Sequence, residues 1–189
     1  MTGKRIFISI QGITFIIGLF VFSGCGYTSR SMISGQYRTI YIPAFVNKID
    51  ITRPTDTESK YKIYRPFIET DVTKGVNNYF LWDGNLRPVK SNDADLTLKG
   101  EVVEFRKDPI KYNQSYDVSE YQMNIIVDLV LTDNKTKKVV WEEKGFAGWT
   151  NYYTSSAPAP AVPKTESQAV TDTVTDLSRR IVERTVEQW

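Results

Sequence analysis

The chain has 189 residues, with 24 Lys or Arg, 22 Asp or Glu, no histidine and one cysteine, Cys25. This composition excludes Ser-His-Asp and Cys-His nucleophilic systems, histidine-based metal sites and an internal disulfide. The remaining acid pairs, such as Asp93/Asp95 and Glu142/Glu143, follow no catalytic motif. We therefore expect a protein that is not an enzyme.

The N-terminus carries the pattern of a bacterial lipoprotein signal over positions 1–24. Two cations precede an apolar run over positions 6–22, and the small pair Ser23-Gly24 stands directly before Cys25. The run is shorter than the roughly 20 residues that span a bilayer, so a permanent transmembrane helix is the weaker interpretation. We expect cleavage between Gly24 and Cys25 and a covalent lipid, such as palmitate, on the thiol. The alternative is an ordinary secretory signal followed by a buried Cys25.

Cleavage changes the charge balance of the chain. Removing Lys4 and Arg5 lowers the basic count from 24 to 22, equal to the 22 acids, so the mature chain has no net charge. Without a general positive field, we expect no nucleic-acid partner. An apolar content of 41% suits one domain over positions 37–189, preceded by a flexible tether over positions 25–36.

The first half of the domain predicts a strand, a helix and a short strand. Alternating apolar residues predict a strand over positions 38–45. The following helix has Pro66 in its first turn and ends at Asp83-Gly84, before a short strand over positions 86–90. Its apolar face is spaced by three and four residues and comprises Phe67, Ile68, Val72, Val76, Tyr79 and Phe80.

Two long strands follow, with the clearest alternation in the sequence. In the first, apolar residues alternate from Leu96 to Val102, and the pattern then shifts by one residue at Val103, which predicts a bulge. In the second, positions 121–131 alternate strictly, with polar residues on the opposite face. A lysine-rich hairpin over positions 133–138 leads to a strand that runs to about Trp149.

A Pro/Ala connector over positions 155–163 precedes a final helix, for which Thr165 and Gln168 form a predicted capping box. Its inner stripe comprises Val170, Val174, Leu177, Ile181, Thr185 and Gln188/Trp189. Three arginines, Arg179, Arg180 and Arg184, are interpreted as surface charge that stabilises the helix. The order β-α-β-β-β-β-α predicts an α/β (α+β) sandwich, with two helices on one face of a mostly antiparallel sheet of four to five strands.

Several of these segments, in this order, resemble the LptE family of lipopolysaccharide-assembly lipoproteins. The resemblance is carried by Cys25-Gly26-Tyr27, the strand over 39–45, the Ala94-Asp95-Leu96 strand opening, the Val139-Val140-Trp141-Glu142 strand and the C-terminal helix. It implies a small α/β sandwich anchored in the inner leaflet of the outer membrane and facing the periplasm. The implied partners are a large LptD-type β-barrel, which the protein plugs and helps to assemble, and lipopolysaccharide. No cofactor is implied beyond the lipid on Cys25.

The resemblance also places ligand contact on basic loop residues. Because lipid A presents phosphates, the candidate contacts are cations near strand ends: Arg106, Lys107, Lys111, Lys135, Lys137 and Lys138. The alternative is ordinary solvated charge in turns. Candidate barrel contacts form an aromatic group near the connector, Phe146, Trp149, Tyr152 and Tyr153, for which core packing is the alternative.

A different function remains open for a domain of this kind. Other periplasm-facing lipoproteins include pore subunits and activators of peptidoglycan synthases. A pore subunit needs strand pairs with apolar outer faces that cross the bilayer, and we find no such pair in the sequence. A binding module that activates a peptidoglycan synthase, or serves another envelope assembly machine, is therefore the stronger alternative.

Overall fold

The computed structural model describes residues 36–50, 64–90 and 93–187. Gly24, Cys25 and nearly all of the predicted tether lie outside these residues. The described elements, in chain order, are β1 (Thr39–Tyr41), β2 (Val46–Asn47), α1 (Ile68–Asp83), β3 (Arg87–Val89), β4 (Leu96–Tyr112), β5 (Val118–Asp133), β6 (Val139–Tyr153) and α2 (Glu166–Glu187).

The strands form one mixed six-stranded sheet in the order β3-β1-β4-β5-β6, with β2 also beside β4. Strands β4, β5 and β6 are antiparallel, whereas β1 pairs in parallel with β3 and β4, and β2 pairs in parallel with β4. The α+β class and the two helices are confirmed. The predicted four to five mostly antiparallel strands are corrected, because the crossover through α1 brings the chain back parallel to β1.

The predicted first strand over 38–45 is two short strands. β1 ends at Tyr41 and β2 begins at Val46, with Pro43 between them. Proline has no N–H for a ladder hydrogen bond, which explains the interruption. The element order is therefore β-β-α-β-β-β-β-α rather than β-α-β-β-β-β-α.

The predicted bulge in β4 is confirmed. Val102 pairs with Val127 and Glu104 pairs with Ile126, which leaves Val103 as the extra residue. The inner face therefore continues from Val102 to Phe105, and both are buried. On β5, the alternate apolar residues from Met123 to Leu131 are fully buried, as their periodicity predicts.

Helix α1 buries one apolar stripe, formed by Ile68, Val72, Val76 and Phe80. Phe67, which the spacing assigned to this stripe, precedes the helix at φ 64° and is 72% exposed. That part of the prediction is wrong, because the helix begins at Ile68, so that both Phe67 and Pro66 precede its first turn. The predicted stop is confirmed, since Gly84 adopts φ 77° and donates its N–H to the carbonyl of Phe80.

Helix α2 begins with the predicted capping box. The Gln168 N–H donates to Thr165 Oγ1 at 3.2 Å, and the Thr165 N–H donates to Gln168 Oε1 at 2.9 Å. The predicted inner stripe is buried from Val170 to Thr185, and Gln188 and Trp189 lie outside the described residues. The two helices contact each other and the sheet, so both cover one face.

The helix layer approaches the sheet closely at a glycine of β6. A Cβ added to Gly148 would lie 2.5 Å from Leu177 Cα. The helices also approach each other closely, since a Cβ on Gly75 would lie 2.6 Å from Ser178 Oγ. Both glycines thus permit contacts that a larger residue would push apart.

Strand β6 forms one edge of the sheet. Residues outside the sheet form hydrogen bonds and an ion pair with this strand. The Trp149 N–H donates to Asp176 Oδ2 of α2 at 3.1 Å, and the Lys164 N–H donates to the carbonyl of Tyr153 at 3.0 Å. Arg184 Nε of α2 lies 2.7 Å from Glu143 Oε2 of β6, and its guanidinium lies 4.9 Å from the centre of the Trp141 ring. Arg184, one of the three arginines interpreted as surface charge, therefore attaches α2 to this edge of the sheet.

Candidate functional site

The two groups of candidate ligand cations lie at opposite ends of the sheet. Leu96, at the start of β4, pairs with Asp133 at the end of β5, so the lysine-rich turn over 134–138 lies beside the start of β4. Arg106 is ten residues further along β4, or roughly 33 Å at the rise of an extended strand. We call the turn over 134–138 the proximal turn, and the β4–β5 turn over 113–117 the distal turn.

The proximal turn presents exposed lysines with little compensating charge. Lys135 Nζ lies 3.4 Å from Asp95 Oδ1, in a pair whose lysine is exposed and whose aspartate is mostly buried. Within the described residues, Lys137 and Lys138 form no ion pair, and both are exposed. This turn therefore carries an excess of positive charge that is open to an anion.

The backbone of the proximal turn is held by Asp133. Its Oδ1 accepts a hydrogen bond from the Lys135 N–H at 2.8 Å, and its Oδ2 accepts from Thr136 Oγ1 at 2.9 Å and from the Tyr37 hydroxyl at 3.2 Å. Burial acts to raise the pKa of Asp133, but these hydrogen bonds lower it below its usual value. The lysines thus project from an ordered loop.

Asp95 joins the proximal end of β4 to β1. Its Oδ2 accepts hydrogen bonds from the Arg38 N–H at 2.9 Å, the Thr39 N–H at 3.1 Å and the Thr39 hydroxyl at 3.1 Å. The hydrogen bond from the Arg38 backbone is the main cause that lowers the pKa of Asp95, with Thr39 and Lys135 adding to it against burial. Asp95, one of the Asp93/Asp95 pair, therefore has a structural role, because it holds β1 against β4.

The candidate cations beyond the middle of β4 all pair with carboxylates. Arg106 lies 3.2 Å from Glu104 Oε1 and 2.7 Å from Asp108 Oδ2. Lys107 Nζ lies 2.8 Å from Glu166 Oε2, and Lys111 Nζ lies 2.6 Å from Glu120 Oε2. These pairs offset the positive charge, so this end of the sheet is a weaker site for a phosphate than the proximal turn.

The carboxylates also shift the lysine pKa values. Burial acts to lower the pKa of Lys107, but its hydrogen bond to Glu166 raises it above the usual value. The hydrogen bond to Glu120 raises the pKa of Lys111. Both lysines therefore remain charged at neutral pH and remain paired.

The sheet face opposite the helices, which we call the open face, carries a polar network across three strands. Asn124 pairs with Arg106, and Gln122 pairs with Asp108, so these side chains share a face. Across this face, Asn124 Nδ2 donates to Asp108 Oδ2 at 2.9 Å. Asn151 of β6 accepts from Gln122 Nε2 at 3.2 Å and donates to Glu120 Oε1 at 3.3 Å. The open face near the distal turn is thus polar and internally hydrogen-bonded.

The aromatic group on β6 does not form one surface. Tyr152 is 6% exposed and stacks on Tyr121 with ring centres 5.8 Å apart, and Phe146 packs against the core. Trp149 is 44% exposed and lies 5.8 Å from the guanidinium of Arg180. Of the four, Trp149 and Tyr153 are therefore the two that are exposed at the surface.

A cleft at the distal turn was not predicted. It has a volume of about 1010 Å³ and lies between the β4–β5 hairpin and the Pro/Ala connector. Lys111, Tyr112, Ser119, Tyr153 and Pro158 are among its lining residues. The available signal in the sequence was a pair of tyrosines, Tyr112 and Tyr116, on either side of a polar turn.

Neither a metal site nor a membrane-spanning helix is found in the described part of the chain. Over residues 36–50, 64–90 and 93–187, no group of three or more acidic or cysteine side chains is placed to hold a metal ion. Neither α1 nor α2 combines the length and the apolarity needed to cross a bilayer.

Solved structures of low sequence identity resemble this chain. XCC0632 from Xanthomonas campestris is 16% identical, with a TM-score of 0.53 over 80% of this chain and 87% of its own. The PelC dodecamer from Paraburkholderia phytofirmans is 13% identical, with a TM-score of 0.46 over 80% and 90%. The rare lipoprotein B from Shewanella oneidensis is 13% identical, with a TM-score of 0.43 over 77% and 92%. At these identities, the XCC0632 likeness supports the fold alone.

No curated protein sequence matches the chain significantly. The sequence profile of the LptE family, described as lipopolysaccharide-assembly, matches residues 37–185, which is well over half of the chain. This match covers all the strands and most of α2, including the proximal and distal turns. The chain therefore belongs to the LptE family of lipopolysaccharide-assembly proteins.

Proposed function

We propose that this protein is an outer-membrane lipoprotein that faces the periplasm, stands inside an LptD-type β-barrel and assists the assembly of that barrel. In the same proposal, it helps to deliver lipopolysaccharide to the outer leaflet and catalyses no reaction. The observation that carries the proposal is the family match over residues 37–185.

The open face supports a position within a barrel. The lumen of a wide outer-membrane barrel is polar and filled with water. The network through Asp108, Asn124 and Asn151 gives the open face the same character. Because these side chains are already hydrogen-bonded to one another, the face needs no apolar covering to remain stable in water.

A lipid anchor on Cys25 is part of the proposal. In the proposal, the Cys25 thiol carries lipid, and more than one acyl chain gives durable attachment to the inner leaflet. A protein held at the membrane that contains its barrel meets that barrel at a high effective concentration. The anchor and the barrel contact therefore strengthen each other.

The proximal turn supports contact with lipopolysaccharide. Lipid A carries phosphates, and Lys137 and Lys138 provide exposed positive charge on a turn that Asp133 orders. Lysine ammonium groups bind phosphate as point charges, without the bidentate geometry of arginine. We therefore propose the proximal turn, rather than the paired cations of β4, as the phosphate contact.

The test is affinity purification of the tagged full-length protein from detergent-solubilised envelopes. A large outer-membrane β-barrel protein is expected to co-purify, and mass spectrometry is expected to show lipid on Cys25. The control Cys25→Ala is expected to lack lipid and to recover less barrel. Recovery of a peptidoglycan synthase without a barrel would contradict the proposal, and an unmodified Cys25 in the mature protein would refute the anchor.

A further inference from the structure

The cleft at the distal turn, which we call the distal cleft, is nearly neutral although the strands around it carry charged residues. Lys111 is the charged side chain among its described lining residues, and its ammonium pairs with Glu120 at 2.6 Å. A phosphate in the cleft would have to compete with the Glu120 carboxylate for that ammonium. The charge balance therefore favours an uncharged ligand over an anion.

The cleft contains polar groups that the protein does not use. Ser119 lines the cleft, and its side-chain hydroxyl forms no hydrogen bond with any described residue. The side-chain amide of Gln114 also lacks a hydrogen-bond partner in the described part of the chain. A hydroxyl and an amide that face the cleft without a protein partner are available to bond to a ligand.

The remaining walls are aromatic and aliphatic rings. Tyr112 and Tyr153 lie on the strand side, while Pro158 and Pro160 lie on the connector side. Tyrosine faces are electron-rich and attract the weakly positive C–H groups of a saturated ring. The volume of about 1010 Å³ is at the upper end of the range for small-molecule sites.

We infer that the distal cleft binds an uncharged saccharide, with sugar rings on Tyr112 and Tyr153 and sugar hydroxyls on Ser119 and Gln114. Sugars combine saturated ring C–H faces with many hydroxyls that both donate and accept, which matches both kinds of wall. The inference rests on the proposed function, because that function makes the saccharide the oligosaccharide part of lipopolysaccharide. The phosphate contact at the proximal turn is then separate from the sugar contact.

The test measures calorimetric binding of two probes to the purified full-length protein: intact lipopolysaccharide, and its oligosaccharide after deacylation and dephosphorylation. The wild type is expected to bind both. Tyr112→Ala is expected to weaken oligosaccharide binding about fivefold to tenfold, in line with an aromatic contact. Tyr116→Ala is the matched control, because Tyr116 is 88% exposed on the same hairpin and does not line the cleft.

Ser119→Ala separates a ligand role from a structural one. Since the hydroxyl forms no hydrogen bond with any described residue, its removal is expected to leave thermal stability unchanged while weakening oligosaccharide binding. Unchanged oligosaccharide binding in both Ser119→Ala and Tyr112→Ala would overturn the inference. Equal losses in Tyr112→Ala and Tyr116→Ala would also overturn it.

The two proposals fail in different ways. Binding of intact lipopolysaccharide without binding of the oligosaccharide would overturn the sugar site and leave the proposed function standing. Oligosaccharide binding by a protein that recovers no barrel from envelopes would support the sugar site and contradict the barrel role.

Discussion

Asp95 shows how one carboxylate positions the start of a sheet. It accepts two backbone N–H groups and one hydroxyl from Arg38 and Thr39, and so fixes β1 against β4. β1 has three residues, which form too few ladder hydrogen bonds to hold it alone. The carboxylate therefore provides the attachment that the short strand lacks.

Replacing Asp95 by Asn is expected to lower the free energy of unfolding at pH 7 by about 1–3 kcal/mol, because an amide is a weaker acceptor for three donors. Since folding lowers the pKa of Asp95, its stabilisation is present above its usual pKa and is lost as the pH falls through the lower folded value. The gap between wild type and variant should therefore shrink as the pH falls below about 4, the usual pKa of an aspartate. Urea unfolding at several pH values measures it.

Asp172→Asn is the control for this measurement. Asp172 pairs with Lys164 at 2.6 Å, but both side chains are largely solvated. Its replacement is expected to cost less than about 1 kcal/mol. A similar cost for both variants would show that Asp95 contributes no more than a surface pair.

At the scale of elements, the contact between α2 and β6 depends on Gly148. Gly148→Ala is expected to lower the free energy of unfolding by about 1–3 kcal/mol, since its new methyl group meets the backbone of Leu177. Gly75→Ala is the matched variant, because its methyl group meets side-chain atoms of Ser178 and Val174 that can move, and because alanine favours the helix. Chemical denaturation should rank Gly148→Ala as the more damaging change, and the reverse order would contradict the packing.

The structural features that could be predicted from the sequence are those determined by residues close together in the chain. The bulge at Val103, the capping box of Thr165 and the stop at Gly84 each follow from a few neighbouring residues. The parallel pairing of β1 with β3 joins Thr39 to Arg87, and strands of two or three residues have no period to read. Their arrangement depends on α1 and the rest of the sheet.

The candidate site, too, could be predicted from the sequence only in part. Cationic positions are visible in a sequence, but the carboxylates that neutralise them are not. Lys107 pairs with Glu166 at the start of α2, and Lys111 pairs with Glu120 on the next strand. The distal cleft was missed because its two walls are separated by the whole of β5 and β6 along the chain.

At the scale of the molecule, the candidate cations differ in their pairing: of the six, only Lys137 and Lys138 form no ion pair within the described residues, and both lie in the proximal turn. The double variant Lys137→Glu/Lys138→Glu is expected to weaken lipopolysaccharide binding about tenfold at low salt, with a smaller loss at high salt as screening increases. Lys135 is left in place because it contacts Asp95. Titration of fluorescent lipopolysaccharide at two salt concentrations measures the effect.

Lys144→Glu is the control, since Lys144 is exposed on β6 outside the proximal turn. It is expected to leave the affinity within about twofold of wild type, as for an exposed charge outside the contact. If the double variant binds as tightly as wild type, the lysines of the proximal turn return to the role of solubilising charge.

The edge strand β6 has one further consequence. A sheet edge is normally a template on which another strand can add. Here the Trp149 N–H is already bonded to Asp176, and the Tyr153 carbonyl is already bonded to the Lys164 N–H. An incoming strand would have to displace both before it could extend the sheet along this part of β6. These two hydrogen bonds thus oppose edge-to-edge aggregation along this part of β6. A partner that binds here would contact side chains rather than the backbone.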